Sequence, residues 1–139
     1  MNIKRVGNII LEVKDLDASI KFYYEILGMP IKNERRNWVD LGQQSGGTLS
    51  LHPASITTPN ANLSKENGIL IGLTVGDLNS AMHELSETKV EIFRDVQERQ
   101  AGKNAVILDP DGYMISLFEP DFSENKDKQT SGYIGFTPE

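Results

Sequence analysis

Asn8-Ile-Ile-Leu-Glu-Val-Lys-Asp-Leu16 returns 62 residues later as Leu70-Ile-Gly-Leu-Thr-Val-Gly-Asp-Leu78, and this recurrence decides the fold. In both copies apolar residues alternate (Ile9, Leu11, Val13 and Ile71, Leu73, Val75), the period-two pattern of a half-buried strand. Each strand runs into Asp-Leu and then into a helical pattern. In the first helix Leu16, Ile20, Tyr23, Tyr24 and Leu27 make one stripe, and Gly28 closes it as a C-cap. Tyr23 and Tyr24 are consecutive, so only one of them can lie fully on the buried stripe. In the second helix Leu78, Met82 and Leu85 repeat the stripe more weakly. Asp15 or Asp17, and Asp77 or Asn79, are the candidate N-caps.

Outward from these two helices, three short strands are expected after each. The first set falls near residues 30–35, 37–42 and 47–52, and the second near 90–95, 103–109 and 113–119. Asp109-Pro110-Asp111-Gly112 has Pro second and Gly fourth, which suits a type I hairpin turn. The halves end alike, on Leu49-Ser50-Leu51 and Ile115-Ser116-Leu117. Each half therefore reads as strand–helix–three strands, an α+β fold of tandem βαβββ repeats. Repeat one spans about 6–52, a Pro-, Ser- and Asn-containing linker 53–67, and repeat two about 68–119. Together they form one domain over 1–122, followed by a polar tail over 123–139 in which Tyr133, Ile134 and Phe136 either dock or hang free.

Composition narrows the function. With 38% apolar and 24% charged residues in 139, the chain is long and apolar enough for one soluble globular domain. A formal charge of −6, with no basic cluster beyond Arg35–Arg36, speaks against nucleic acid. No run approaches the roughly 20 apolar residues of a membrane span, and MNIKRVGNII lacks a signal-peptide pattern. The absence of cysteine removes disulfides, thiolate metal sites and thiol nucleophiles, and fits a cytoplasmic location.

The doubled pattern, with Val13-Lys14-Asp15-Leu16, Ser19, Phe22-Tyr23, Leu27-Gly28 and Asp109-Pro110-Asp111-Gly112-Tyr113 in order, resembles the vicinal oxygen chelate superfamily of glyoxalases, bleomycin-resistance proteins and extradiol dioxygenases. The resemblance covers residues 6–119. It implies two curled sheets, making a curved mixed sheet around a cleft, with the concave faces lining the pocket. Strand parity then puts Asn8, Ile10 and Glu12 on one concave face with Ser50 and His52. It puts Leu70, Gly72 and Thr74 on the other, with Met114, Ser116 and Phe118.

Metal-dependent members of the family place one ligand at each of four stations on these faces. Here the stations hold Asn8, Ser50, Leu70 and Ser116, where relatives carry His, Gln or Glu. Leu70 has no donor atom, and neutral amide and hydroxyl oxygens do not replace the hydration of a divalent ion. No metal and no other cofactor is therefore expected. Glu12 stands where glyoxalase I enzymes carry an Arg that pairs with a glutathione carboxylate, and Ala54 where they carry Asn, so glutathione is disfavoured as substrate.

His52 and Glu12 are the candidates for acid–base chemistry. The alternatives are a histidine closing its strand before Pro53 and a solvated rim carboxylate. Asn8, Ile10, Ser50, Leu70, Ser116 and Phe118 are the candidate ligand-binding residues. Trp38, Phe93 and Tyr113 are candidate pocket aromatics, with core filling the safer reading for Phe93. The resemblance implies a homodimeric protein that binds a small, partly apolar organic ligand in the manner of bleomycin-resistance proteins. The alternative is a metal-dependent or metal-free lyase, isomerase or dioxygenase of the same superfamily.

Overall fold

The structure, a computed structural model, describes residues 1–54 and 69–121. The linker lies almost wholly, and the polar tail entirely, outside the described residues. Two units divide the chain, Met1–Ala61 and Asn62–Glu139.

The first unit carries β1 (Ile9–Val13), α1 (Leu16–Ile20), β2 (Ile31–Arg35), β3 (Trp38–Leu41) and β4 (Leu49–Pro53). Its sheet has the order β1-β4-β3-β2, with β1 parallel to β4 and the other pairs antiparallel. The second unit carries β5 (Ile71–Thr74), α2 (Leu78–Leu85), β6 (Glu91–Arg99), β7 (Gly102–Leu108) and β8 (Met114–Pro120). Its sheet repeats the order as β5-β8-β7-β6, again with only the first pair parallel. The sequence repeat is thus a repeat of topology, and the fold is α+β.

Parity chooses which face each helix covers. Leu11, Val13, Val39, Leu41, Leu49 and Leu51 are buried, with α1 packed on β4. In the second unit Ala105, Ile107, Ile115 and Leu117 are buried, with α2 packed on β7 and β8 through Leu78 and Leu85. Each fully buried aliphatic side chain contributes roughly 1.5–3 kcal/mol. Ile9, expected in this set, is instead 44% exposed: it opens β1 at the sheet edge, where only one strand flanks it. Phe93, expected as core filling, is 47% exposed on edge strand β6 for the same reason.

The first helix departs from its expected stripe. After Ile20 the chain widens into a π-helical segment, Lys21–Ile26, in which the Leu27 amide donates to the Phe22 carbonyl at 2.9 Å. Ser19, Phe22 and Tyr23 are buried, while Tyr24 is 47% exposed. Gly28 follows with φ +79°, the left-handed position expected of a C-terminal glycine.

Asp15 and Asp77 are the N-caps. The Asp15 carboxylate accepts from the Ala18 amide at 3.1 Å. Asp77 accepts from the Ser80 amide at 3.1 Å and from the Ser80 hydroxyl at 2.9 Å. These bonds, the backbone one foremost, hold the Asp77 carboxyl below its ordinary value of 3.8. Because the folded value is depressed, the resulting stability is present above 3.8 and fades as pH falls below it. Asp77→Asn, followed by urea melts across the acid range, should reduce the loss of stability below that value.

Candidate functional site

In the first unit, the face opposite α1 carries a connected set of polar side chains. Hydrogen bonding in register aligns Ile10 with Ser50 and Ser50 with Asp40, and aligns Glu12 with His52 and Arg35 with Trp38. The Asn8 amide donates to the Ser50 hydroxyl at 2.9 Å, and Ser50 donates to Asp40 Oδ1 at 2.6 Å. Trp38 Nε1 donates to the same oxygen at 2.7 Å. Oδ2 of Asp40 accepts no hydrogen bond from the described residues. The Asp40 carboxylate is thus oriented by two donors on one oxygen.

Trp38 connects this cluster to the strand ends. Its ring lies 5.6 Å from the His52 ring in an edge arrangement, and the Arg35 guanidinium lies 5.6 Å from its centroid. His52 Nδ1 stands 3.8 Å from Glu12 Oε2, with both side chains about two-fifths exposed. That separation is an ion pair when His52 is protonated, and is too long for a hydrogen bond. Ile10 is 51% exposed beside them, whereas Ser50 is fully buried. Asn8, Ser50, Glu12, His52 and Ile10 therefore share one face as strand parity predicts. Asp40, which ties Ser50 to Trp38, was missed. It lay within reach of sequence reasoning, because the hairpin between residues 37–42 and 47–52 sets Asp40 opposite Ser50.

The corresponding face of the second unit is different chemically. Gly72 aligns with Ser116, Ser116 with Val106 and Val106 with Arg94; Thr74 aligns with Phe118 and Phe118 with Asn104. Asn104, fully buried, donates from its amide to the Ser116 hydroxyl at 3.1 Å. Its carbonyl oxygen accepts from Arg94 at 3.4 Å and from Arg99 Nε at 3.3 Å. Arg99 also donates to Gln97 Oε1 at 2.7 Å. Burial, and secondarily the charge of Arg99, pushes the Arg94 guanidinium below its ordinary pKa. Phe118 and Ser116 are each 1% exposed, and Leu70, just before β5, is half-buried. Sequence reading missed Arg94, Arg99 and Asn104.

At the end of the same unit a hollow of about 570 Å³ is lined by Thr74, Arg99, Gly102, Lys103, Glu119 and Asp121, among others. Glu119 accepts the Leu78 amide at the start of α2 at 2.9 Å and lies 4.0 Å from Lys103. Among the described residues no three His, Asp or Glu side chains are grouped as a metal site would need. Nor is any helix among them long and apolar enough to cross a membrane.

Residues 5–117 match the family model described as Glyoxalase/Bleomycin resistance protein/Dioxygenase superfamily. A probable lactoylglutathione lyase of Vibrio parahaemolyticus is 28% identical over 129 residues, covering 86% of this chain and 93% of that protein. An antibiotic-binding protein from a Streptomyces species superposes with a TM-score of 0.69 at 22% identity, over 87% of this chain and 99% of that one. A glyoxalase/dioxygenase from Nostoc punctiforme gives 0.69 at 23% identity, over 86% and 93%.

Proposed function

The chain belongs to the Glyoxalase/Bleomycin resistance protein/Dioxygenase superfamily, and from that membership we propose that it binds a small, partly apolar organic molecule without a metal ion. The observation that carries this reading is the hydrogen-bonded set Asn8–Ser50–Asp40–Trp38. At the first two metal stations of the family, the amide and hydroxyl are committed to one another and to Asp40. In the second unit Ser116 is committed to Asn104, and Leu70 offers no donor. In the first unit, one carboxylate beside an amide and one hydroxyl does not fit a divalent cation, which needs several strong oxygen or nitrogen donors.

On the first face the ligand is a neutral or cationic molecule with a flat apolar body. Ile10 and the Trp38 ring supply apolar surface, and Asp40 Oδ2 and Glu12 supply acceptors. A like charge 4 Å from an anionic ligand costs about 4 kcal/mol at an effective dielectric of ~20, which disfavours anions on this face.

The name of the Vibrio relative favours one second reading, a lyase using Glu12 and His52 for proton transfer. Turnover of a carbonyl substrate that is lost in His52→Gln but survives in Asp40→Asn would select it. The homodimer remains part of the proposal. Ile9 on the edge strand β1, with Ile3 and Val6 before it, exposes apolar surface that a second copy would cover. Light scattering during size exclusion tests it.

The binding experiment is calorimetric titration of benzylamine and benzyl alcohol into wild type and Asp40→Asn. Benzylamine should bind about tenfold more tightly than the alcohol, the ~1.4 kcal/mol gained by a charged hydrogen bond over a neutral one. Asp40→Asn keeps an oxygen for Ser50 and Trp38 yet should abolish that preference. Equal binding of the two probes to wild type, or a preference that survives in Asp40→Asn, overturns the reading.

A further inference from the structure

Three charged side chains stand in one row across the second sheet. The pairing registers set Glu98 of β6 opposite Lys103 of β7, and Lys103 opposite Glu119 of β8, so the three share one face. The two carboxylates are not equivalent. Glu119 already accepts the Leu78 amide at 2.9 Å, closing the start of α2, and stands 4.0 Å from the Lys103 ammonium. That separation is an ion pair, but it exceeds the roughly 2.7–2.9 Å of a charged hydrogen bond. The Lys103 ammonium donates no hydrogen bond to the described residues, and among them the Glu98 carboxylate accepts none and joins no ion pair. A cation and an anion that face each other across β6 and β7 are thus unmatched.

Both groups line the hollow of about 570 Å³ at the end of this unit, a volume in the range of small-molecule sites. Its wall is of mixed sign. Glu119 and Asp121 add carboxylates, and Arg99 adds a guanidinium that Asn104 and Gln97 hold in place. A simple anion would meet the carboxylates, and a simple cation would meet Lys103 and Arg99. Val75 and Pro120 add apolar surface.

We propose that the hollow binds a small zwitterion of the α-amino acid class, its carboxylate on Lys103 and its ammonium on Glu98. In such a molecule both charges are attached to one carbon, which suits two side chains whose Cβ atoms cross-strand pairing holds about 5 Å apart. Each charge of the ligand gains a charge-assisted hydrogen bond, and the ligand brings no net charge to a wall of both signs. The site lies in a different unit from the Asp40 face and uses none of its residues, so either assignment can fail alone.

The test is calorimetric titration of the full chain with L-leucine, with 3-methylbutylamine, which lacks the carboxylate, and with 4-methylpentanoate, which lacks the ammonium. The three are compared in the Asp40→Asn protein, where the first face has lost its preference for amines, and leucine is titrated into wild type as well. Leucine should bind both proteins alike, and in Asp40→Asn about tenfold more tightly than either analogue. Adding Lys103→Gln should erase the preference over the amine and keep that over the acid. Adding Glu98→Gln should do the reverse; Glu98 is exposed, so this change leaves the fold intact. A purely structural effect of either substitution would lower all three affinities together. No leucine binding, equal binding of leucine and either analogue, or a Glu98→Gln protein that keeps both preferences overturns the site. Leucine binding that disappears in Asp40→Asn assigns it to the first face and overturns the site equally.

Discussion

A Tyr23→Ala protein should lose about 4 kcal/mol of folding stability, the range measured when a buried aromatic side chain is removed from a packed core. Tyr23 is fully buried, and its ring meets Phe22 edge-on at 4.8 Å with an interplanar angle of 87°. Aromatic pairs of this kind add roughly 0.5–1.5 kcal/mol beyond their buried area. Against a typical total of about 5–15 kcal/mol, the loss is large enough to halve a urea midpoint. The neighbouring Tyr24→Ala is the control. Tyr24 is 47% exposed, so its removal should change stability by no more than about 0.5 kcal/mol. Urea denaturation of both variants checks the pair, and similar losses from the two would mean that the π-helical segment does not set which tyrosine is inside.

That tyrosine pair marks where sequence reasoning stops. The repeat of strand, helix and three strands was legible because alternation at Ile9, Leu11 and Val13 and at Ile71, Leu73 and Val75 is doubled. Two identical weak signals in the same order leave few folds. The helix stripe was legible only in part, because counting at 3.6 residues per turn fails once the Leu27 amide bonds back to Phe22 across five residues. Tyr23 came inside as its place on the stripe allowed, joined by Ser19 and Phe22 from off the stripe, while Ile20 and Leu27 are half-buried and Tyr24 is exposed.

The two sheet faces show the same limit. Strand parity placed Ser50 with His52 and Glu12, because β4 pairs with both β1 and β3 without a register slip. Asp40 follows from that register and needed only to be counted. Arg94 and Arg99 could not be counted in this way. Between Ile92 and Arg94, and again between Arg94 and Gln97, the β6–β7 register slips. Each bulge turns the alternation over, so counting back from the Arg99–Gly102 pair puts Arg94 opposite Ile107 rather than Val106. The cation pair arises from irregularities that no period-two pattern contains. The charge reading made from Glu12 alone was consequently a reading of one face only.

Gly102→Ala should cost about 3 kcal/mol of folding stability. Gly102 opens β7 with φ +153°, a conformation that L-residues rarely adopt. A Cβ there would collide with the Glu119 backbone carbonyl and would come within 3.0 Å of Phe118 Cζ. Neither obstacle yields easily, since Glu119 is main chain of the neighbouring strand and Phe118 is 1% exposed. Backbone strain and overpacking each cost about 1–3 kcal/mol, and relief requires moving β8 away from β7. Gly102 pairs with both Arg99 and Pro120, and Asn104 follows two residues later on the same face. A displaced β7 start therefore shifts the amide oxygen that the arginines share. Urea melts measure the stability loss, with Gly47→Ala as control, where nothing lies within 4 Å of the added methyl. The control should stay within about 0.5 kcal/mol of wild type. If Gly102→Ala proves as stable as the control, the close approach of β7 and β8 is not what fixes this hairpin.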